Sequence, residues 1–316
     1  MSTFGLLSRK AHIPLMILAG AMIVSVSHAH KDKDKDKGEH HHHHPHSSPA
    51  AMDQFLDVVR EDAPGLAGFT VYRPADLNGP KDKFPIVAWS NGACSASNDG
   101  HLYFLMQLAA RGFVVIAYGE PDASSAPGAQ ATEDRLKNAI NWATSSPGRG
   151  GPKYHNHLDA SRVATMGHSC GGIDALWTGE HDARVKSVVS LNSGCFPDDS
   201  TGGQSGPLAV CRQYLNNLSG PVMFVAGGTG DVAYPNSIGS YERTEAVPAV
   251  FASHATAGHG GFFGTASRAV QLQLVQAVVE FLDGTLNGNT EALDFLVGPD
   301  NDLGQLPNWT VASKGF

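Results

Sequence analysis

The chain has little positive charge for its length. Its 22 Lys and Arg residues are outnumbered by 30 Asp and Glu residues, which gives a formal net charge of −8 at pH 7. Proteins that bind nucleic acid carry basic patches that neutralise phosphates. The composition therefore argues against a nucleic-acid partner. The sequence also shows no internal repeat.

Long hydrophobic runs are also scarce. The main one, residues 13–26, follows Arg9 and Lys10 and precedes the small residues Ser27 to Ala29. A basic start, a short apolar run and a small-residue end are typical of a secretory signal peptide. We predict a signal peptide over residues 1–29 that is cleaved near Ala29, which places the protein in a secreted or periplasmic location. No later run is long enough to span a bilayer.

Residues 30–51 lack the apolar side chains that a folded core requires. They contain the stretch "KDKDKDKGEHHHHHPHSSP". Alternating charges and a histidine run predict a disordered linker. The histidines at 40 to 46 could bind a transition metal weakly, but a solvated spacer is the favoured interpretation, and we assign no metal ligand and no cofactor.

Cysteine is rare as well. The four cysteines are Cys94, Cys170, Cys195 and Cys211. An even number in an oxidising compartment allows two disulfides.

Residues 52–316 are predicted to form one domain in which strands and helices alternate. Apolar runs predict strands at 68–74, 84–90, 113–118, 162–167, 185–191, 221–227 and 249–253. Helical spacing of apolar residues predicts helices at 101–111, 133–143, from about 171, and 267–284. Such alternation predicts an α/β fold, a mostly parallel sheet with helices on both faces. Function is then expected at the carboxyl ends of the strands.

The stretch "GHSCGG" contains the motif G-x-S-x-G between a predicted strand and a predicted helix. In that context the motif predicts a tight turn that lifts Ser169 clear of the sheet as a nucleophile. Cys170 is an alternative nucleophile, but such a turn aims the preceding residue outward. The helix that follows provides free N–H groups and positive potential at its first turn.

A serine nucleophile needs a base, and the base needs a carboxylate. His259 lies in a glycine-flanked loop before the last long helix and is the favoured base, with His254 as the alternative. Asp231 follows a strand and lies between serine and histidine in chain order, so it is the favoured acid. Asp198 and Asp199 are the alternative acids.

Acyl transfer also needs donors for the negative oxygen of its intermediate. The N–H of Cys170, directly after the nucleophile, is one predicted donor. The second is predicted in the loop after the strand at 84–90, with the N–H of Ala93 preferred over that of Gly92.

The motifs "SNGAC", "GHSCGG", "GGTGD" and "AGHGGF" resemble the α/β-hydrolase superfamily over nearly the whole chain after Met52. More narrowly, the chain is similar to secreted esterases near dienelactone hydrolases, chlorophyllase-type esterases and cutinase-like polyester hydrolases. The resemblance implies a triad of Ser169, Asp231 and His259 without metal or organic cofactor. Ala93 stands where polyester hydrolases often have an aromatic residue, and dienelactone hydrolases have cysteine where Ser169 stands.

The cysteines suggest two bridges. Cys195 and Cys211 flank one polar segment that a disulfide would close. Cys94 and Cys170 accompany the two predicted oxyanion donors, which must converge on one oxygen. A bridge between Cys94 and Cys170 is therefore compatible with disulfide geometry and would clamp the oxyanion loop to the nucleophile turn.

The predicted function is a secreted serine hydrolase that cleaves carboxylic esters through an acyl-enzyme. The chain offers no segment long enough for a large helical lid, which favours an accessible site and small or extended ester substrates. A monomer is expected. The alternatives are a peptidase or amidase with the same triad, and a non-catalytic binding module on a hydrolase scaffold.

Overall fold

The computed structural model describes residues 55–78, 83–128, 134–145, 150–196, 211 and 215–316. The predicted signal peptide and linker, together with the alternative acids Asp198 and Asp199, lie outside the described residues. Their assignments stay predictions.

The described part of the chain is built on one nine-stranded sheet with the strand order β1-β2-β4-β3-β5-β6-β7-β8-β9. The strands are β1 Val58–Asp62, β2 Phe69–Pro74, β3 Phe84–Ser90, β4 Val114–Tyr118, β5 Leu158–His168, β6 Val185–Leu191, β7 Val222–Ala226, β8 Ala249–His254 and β9 Trp309–Lys314. Neighbouring strands from β4 to β8 pair in parallel, whereas β1, β2 and β9 join the sheet antiparallel. The sheet is thus mostly parallel, as predicted.

Helices connect most of the parallel strands. The α-helices are α1 Leu102–Ala110, α2 Arg135–Thr144, α3 Pro152–His155, α4 Cys170–His181, α5 Tyr234–Arg243, α6 Arg268–Leu286 and α7 Asp302–Gln305. Short 3-10 helices lie at Gly92–Cys94, Asp99–His101, Gly261–Phe263 and Thr290–Phe295. None of the helices in the described ranges combines the length and the apolar character that a membrane span requires.

The sheet has a hydrophobic core on each face. Successive residues of β3 alternate between the two cores, so Ile86 and Ala88 face one side and Val87 and Trp89 face the other. Helices α2, α4 and α5 cover the first side, and α1 and α6 cover the second. Strands buried on both faces explain the continuous apolar runs of the sequence. This architecture confirms the predicted α/β-hydrolase fold.

Candidate active site

Ser169 lies in a sharp turn between β5 and α4. Its backbone has φ 52° and ψ −117°, a conformation that residues other than glycine rarely adopt. A Cβ on Gly167 would collide with the carbonyl of Gly171, and one on Gly171 would collide with the carbonyl of Ser90. The two glycines therefore allow strand and helix to approach closely enough for this turn, and Ser169 remains half-buried.

The side chains of Ser169, His259 and Asp231 form one hydrogen-bonded chain. Nε2 of His259 lies 2.9 Å from Oγ of Ser169, and Nδ1 of His259 lies 2.7 Å from Oδ1 of Asp231. The carboxylate can only accept a hydrogen bond, so Nδ1 carries the hydrogen of the neutral ring and Nε2 is unprotonated. Nε2 can then accept the hydroxyl proton of Ser169.

Asp231 is buried and fully hydrogen-bonded. Burial alone would raise the pKa of its carboxyl. The hydrogen bond to His259, the backbone N–H groups of Gly227 and Ala233 and the amide of Asn192 outweigh that effect and lower the pKa to about 2. Asp231 therefore stays negative over the whole range in which a histidine can act as a base.

Asn192, directly after β6, is a site residue that the sequence analysis missed. Its Nδ2 donates to Oδ2 of Asp231 at 2.7 Å and to the carbonyl oxygen of Gly258 at 3.1 Å. Gly258 precedes the proposed base, so one amide group contacts both the acid and the loop that carries the base. A lone asparagine after an apolar strand gives no signal of such a contact.

The two predicted oxyanion donors lie on neighbouring segments. Ala93 is in a 3-10 turn with φ 53°, and Cys170 begins α4. A disulfide joins Cys94 to Cys170 with 5.4 Å between their Cα atoms. The loop after β3 is thereby attached to the nucleophile turn, which is the arrangement that two converging N–H donors need.

Asn91 stabilises the loop that carries Ala93, and sequence reasoning missed it as well. Its Nδ2 donates to the carbonyl oxygens of Ser95 and Tyr118 at 3.0 and 2.8 Å, and its Oδ1 accepts from the indole N–H of Trp89 at 2.7 Å. The side chain is fully buried. It therefore fixes the loop to the ends of β3 and β4.

The structure does not favour His254 as the base or the thiol of Cys170 as the nucleophile. His254, the alternative base, ends β8 and is buried against Phe262 and Trp309, and burial lowers its pKa. Cys170 is in a disulfide, so its thiol is not a nucleophile. Cys195 and Cys211 form the second bridge, with 5.3 Å between their Cα atoms. Among the described residues, no cluster of His, Cys, Asp or Glu has the composition of a metal site.

The arrangement can perform one kind of chemistry in particular. A hydroxyl on a strained turn, hydrogen-bonded to an imidazole that a buried carboxylate orients, can attack an electron-poor carbonyl. The first turn of α4 and the loop at Ala93 supply backbone N–H groups beside it.

Comparisons with known proteins show similarity to ester hydrolases. A family model described as PETase, PET hydrolase-like, matches residues 47–194. That segment contains Ser169 but ends before Asp231 and His259. Cutinase est1 and cutinase est2 of Thermobifida alba are each 28% identical over 132 residues, which is 42% of this chain. The chain spans 41% of the length of these curated relatives. The matches confirm the resemblance to cutinase-like polyester hydrolases that the sequence motifs indicated.

Proposed function

We propose that this chain is a serine hydrolase that cleaves carboxylic esters through an acyl-enzyme. The observation that carries the proposal is the continuous chain of hydrogen bonds from Ser169 through His259 to the buried Asp231. The similarity to a PET hydrolase-like family and to two cutinases supports the ester as the bond that is cleaved. A non-catalytic module would have no need to retain all three groups in contact.

In the first half of the reaction, Oγ of Ser169 attacks the ester carbonyl while Nε2 of His259 takes the hydroxyl proton. Asp231 stabilises the resulting imidazolium without accepting its proton. The N–H groups of Ala93 and Cys170 donate to the carbonyl oxygen as it becomes negative. The intermediate then expels the alkoxide, which takes the proton from His259 and leaves as the alcohol, and the acyl group stays on Ser169.

The second half repeats these roles with water. Nε2 of His259 takes a proton from a water molecule as its oxygen attacks the acyl carbonyl. The same two N–H groups hold the second oxyanion. The intermediate releases the acid as the bond to Ser169 breaks, and His259 returns the proton to Oγ. The resting enzyme is restored without metal or cofactor.

The accessibility of the site favours extended as well as small esters. The side chain of His259 is 34% exposed, and Ser169 is half-buried. Val232, next to Asp231, is 78% exposed and offers an apolar surface beside the triad. We infer that an acyl chain or a polymer segment can lie across this rim.

We further infer that the protein works outside the cytoplasm. Basic residues, the apolar run 13–26 and the small residues before position 30 support cleavage of a signal peptide near Ala29. Both cysteine pairs are oxidised in the structure. Structural disulfides persist in oxidising compartments, which supports export.

The proposal predicts that turnover depends on the hydroxyl of Ser169. For Ser169→Ala we expect kcat for p-nitrophenyl butyrate to fall by at least about 10⁴-fold, because the variant has no group to form the acyl-enzyme. The measurement is initial-rate kinetics over p-nitrophenyl esters from acetate to laurate, with a matching p-nitroanilide to detect amidase activity. The acyl-length profile then defines the substrate class.

Ser161→Ala is the matched control, because Ser161 is an exposed serine of β5 whose side chain hydrogen-bonds only locally, to Asp159, in the described contacts. Its kinetics should equal those of the wild type. If Ser169→Ala hydrolyses the esters as fast as the wild type, the proposed function is wrong.

A further inference from the structure

Two buried histidines lie beneath the proposed active site, and the mechanism above uses neither. His168 precedes the nucleophile, and His101 ends the 3-10 helix before α1. Each is only 8% exposed. Their rings pack together with Trp89, Phe104 and Phe263 in an aromatic cluster.

The hydrogen bonds of this pair define where its protons are. Nε2 of His168 lies 2.8 Å from the carbonyl oxygen of His259, and that oxygen can only accept, so Nε2 carries a hydrogen. In a neutral ring Nδ1 of His168 is then bare. It faces Nε2 of His101 at 3.2 Å, so His101 donates from Nε2. Nδ1 of His101 is therefore bare, and in the described part of the chain it has no hydrogen-bond partner.

Both rings are in an environment that keeps them neutral. Burial, together with the neighbouring His168, lowers the pKa of His101 to about 3. Burial also lowers the pKa of His168, to about 4, against the hydrogen bond to the His259 carbonyl, which raises it. The charge of Asp231 also raises the pKa of His168, but by less than burial lowers it.

The hydrogen bond from His168 closes a short ring around the reacting groups. The ring runs from the backbone of Ser169 through the side chain of His168 to the backbone of His259, and returns through the imidazole of His259 to Oγ of Ser169. Phe263 packs on both buried histidines from the same loop as His259. The side chain of His168 therefore links the backbone beside Ser169 to the backbone of His259.

We propose that His101 is a positioning residue, which acts through His168 to hold the backbone of His259 at the distance that proton transfer from Ser169 requires. His101 donates to Nδ1 of His168 and so keeps the hydrogen of His168 on Nε2, where it reaches the His259 carbonyl. If His168 were protonated on Nδ1 instead, its Nε2 would face the carbonyl as a second acceptor, and the loop would move away. This proposal rests on the proposed function of Ser169 and His259.

The kinetic experiment compares His101→Leu with His101→Gln. Gln can place its amide N–H near the position of the imidazole Nε2 and still donate to His168, whereas Leu has similar bulk and no donor. We expect His101→Leu to lower kcat for p-nitrophenyl butyrate about tenfold and to change KM less than about twofold. A tenfold loss of kcat corresponds to roughly the free energy of one hydrogen bond. We expect His101→Gln to stay within about threefold of the wild-type kcat by the same arithmetic.

His254→Leu is the matched control, because it removes a buried imidazole that packs on Phe262 and Trp309 instead of on His168. Its kcat should be unchanged, and circular dichroism should show that all three variants are folded. A wild-type kcat in His101→Leu, or an equal loss in the Leu and Gln variants, would overturn the proposal.

A second measurement uses the wild-type protein and does not depend on catalysis. Histidine-labelled protein gives the protonation of each ring nitrogen from ¹⁵N chemical shifts at pH 7. The proposal requires a hydrogen on Nε2 and none on Nδ1 for both His168 and His101. A hydrogen on Nδ1 of His168 contradicts it even if Ser169→Ala has shown the proposed function to be wrong, so the two failures can be told apart.

Discussion

Asn192 has a left-handed backbone conformation, with φ 46°, at the point where it contacts the acid of the proposed triad. Asparagine and glycine tolerate this conformation better than other residues. Its amide replaces part of the hydration that Asp231 loses on burial, since the residue is only 2% exposed. One residue thus combines a backbone requirement with an electrostatic one.

Two variants separate these requirements. Asn192→Gly and Asn192→Ala both remove the amide, so both should lower kcat about tenfold, as the loss of one charge-assisted hydrogen bond implies. Only Ala also carries a Cβ at positive φ, so Asn192→Ala should be less stable than Asn192→Gly by about 1 kcal/mol. Kinetics with p-nitrophenyl butyrate and urea denaturation measure the two effects.

Equal free energies of unfolding for Gly and Ala would show that the backbone at this position is not strained. A wild-type kcat in both variants would show that the amide does not support Asp231.

The sequence identified the three groups of the proposed triad because they depend on local context and chain order. G-x-S-x-G between strand and helix selects Ser169, and the order of acid and base selects Asp231 and His259. Asn192, Asn91 and His101 have no such local signature. Each of them contacts a residue that is distant in the chain, by 39, 27 and 67 residues respectively, and only the folded sheet brings these pairs together.

At the scale of elements, the antiparallel edge strand β1 is attached to the rest of the sheet by a cluster of charges. Glu61 in β1 accepts hydrogen bonds from Nε of Arg73 and Nζ of Lys153, each at 2.6 Å, and from the hydroxyl of Tyr154. Burial alone would raise the pKa of Glu61, but these three donors lower it to about 2. The negative form therefore holds three elements together.

The low pKa predicts how the attachment of β1 depends on pH. A carboxyl whose pKa is lower in the folded state stabilises the fold above its ordinary pKa of 4.5, and this contribution is lost as pH falls from 4.5 towards 2. Glu61→Gln resembles the protonated form. Its free energy of unfolding should lie below that of the wild type at pH 6, and the difference should shrink towards pH 2.5.

Urea denaturation at pH 6, 4 and 2.5 tests this prediction. Glu291→Gln, at an exposed glutamate, is the control and should follow the wild type throughout. A difference between wild type and Glu61→Gln that is constant with pH would mean that the charge of Glu61 does not stabilise β1.

The sequence predicted the central strands well because burial on both faces leaves long apolar runs. It missed β1, where "VVRED" contains only half-buried and exposed residues, and β9, where "WTVASK" is mostly half-buried. It also missed α5, whose "YPNSIGSYER" contains weak helix formers and is stabilised by packing on Phe251 of β8. Edge strands and tertiary packing leave weak local patterns.

At the scale of the whole molecule, the two disulfides close loops of very different length. Cys94 and Cys170 are 76 residues apart in sequence, and Cys195 and Cys211 are 16 apart. Ala93 and Cys94, at one end of the first bridge, both have positive φ. The longer bridge therefore restricts more of the unfolded chain and joins the loop after β3 to the turn that carries Ser169, whereas the shorter bridge closes one segment.

Replacing both cysteines of each pair by alanine should separate these effects. We expect the free energy of unfolding to fall by about 4 to 5 kcal/mol without the Cys94–Cys170 bridge and by about 3 kcal/mol without the Cys195–Cys211 bridge, by loop-closure entropy. We expect kcat to fall about tenfold or more only in the first variant, because its oxyanion donors are less well held.

Urea denaturation and p-nitrophenyl butyrate kinetics measure both quantities on the same preparations. An unchanged kcat without the Cys94–Cys170 bridge would limit that bridge to stability.

The contact between Gly92 and His168 has a consequence for how this active site can be altered. A Cβ on Gly92 would collide with the imidazole of His168, so any side chain there displaces the ring that reaches the His259 carbonyl. A smaller residue at 168 removes the collision but also the hydrogen bond. The effects of substitutions at positions 92 and 168 are therefore not additive. A side chain at position 92 requires a smaller residue at position 168.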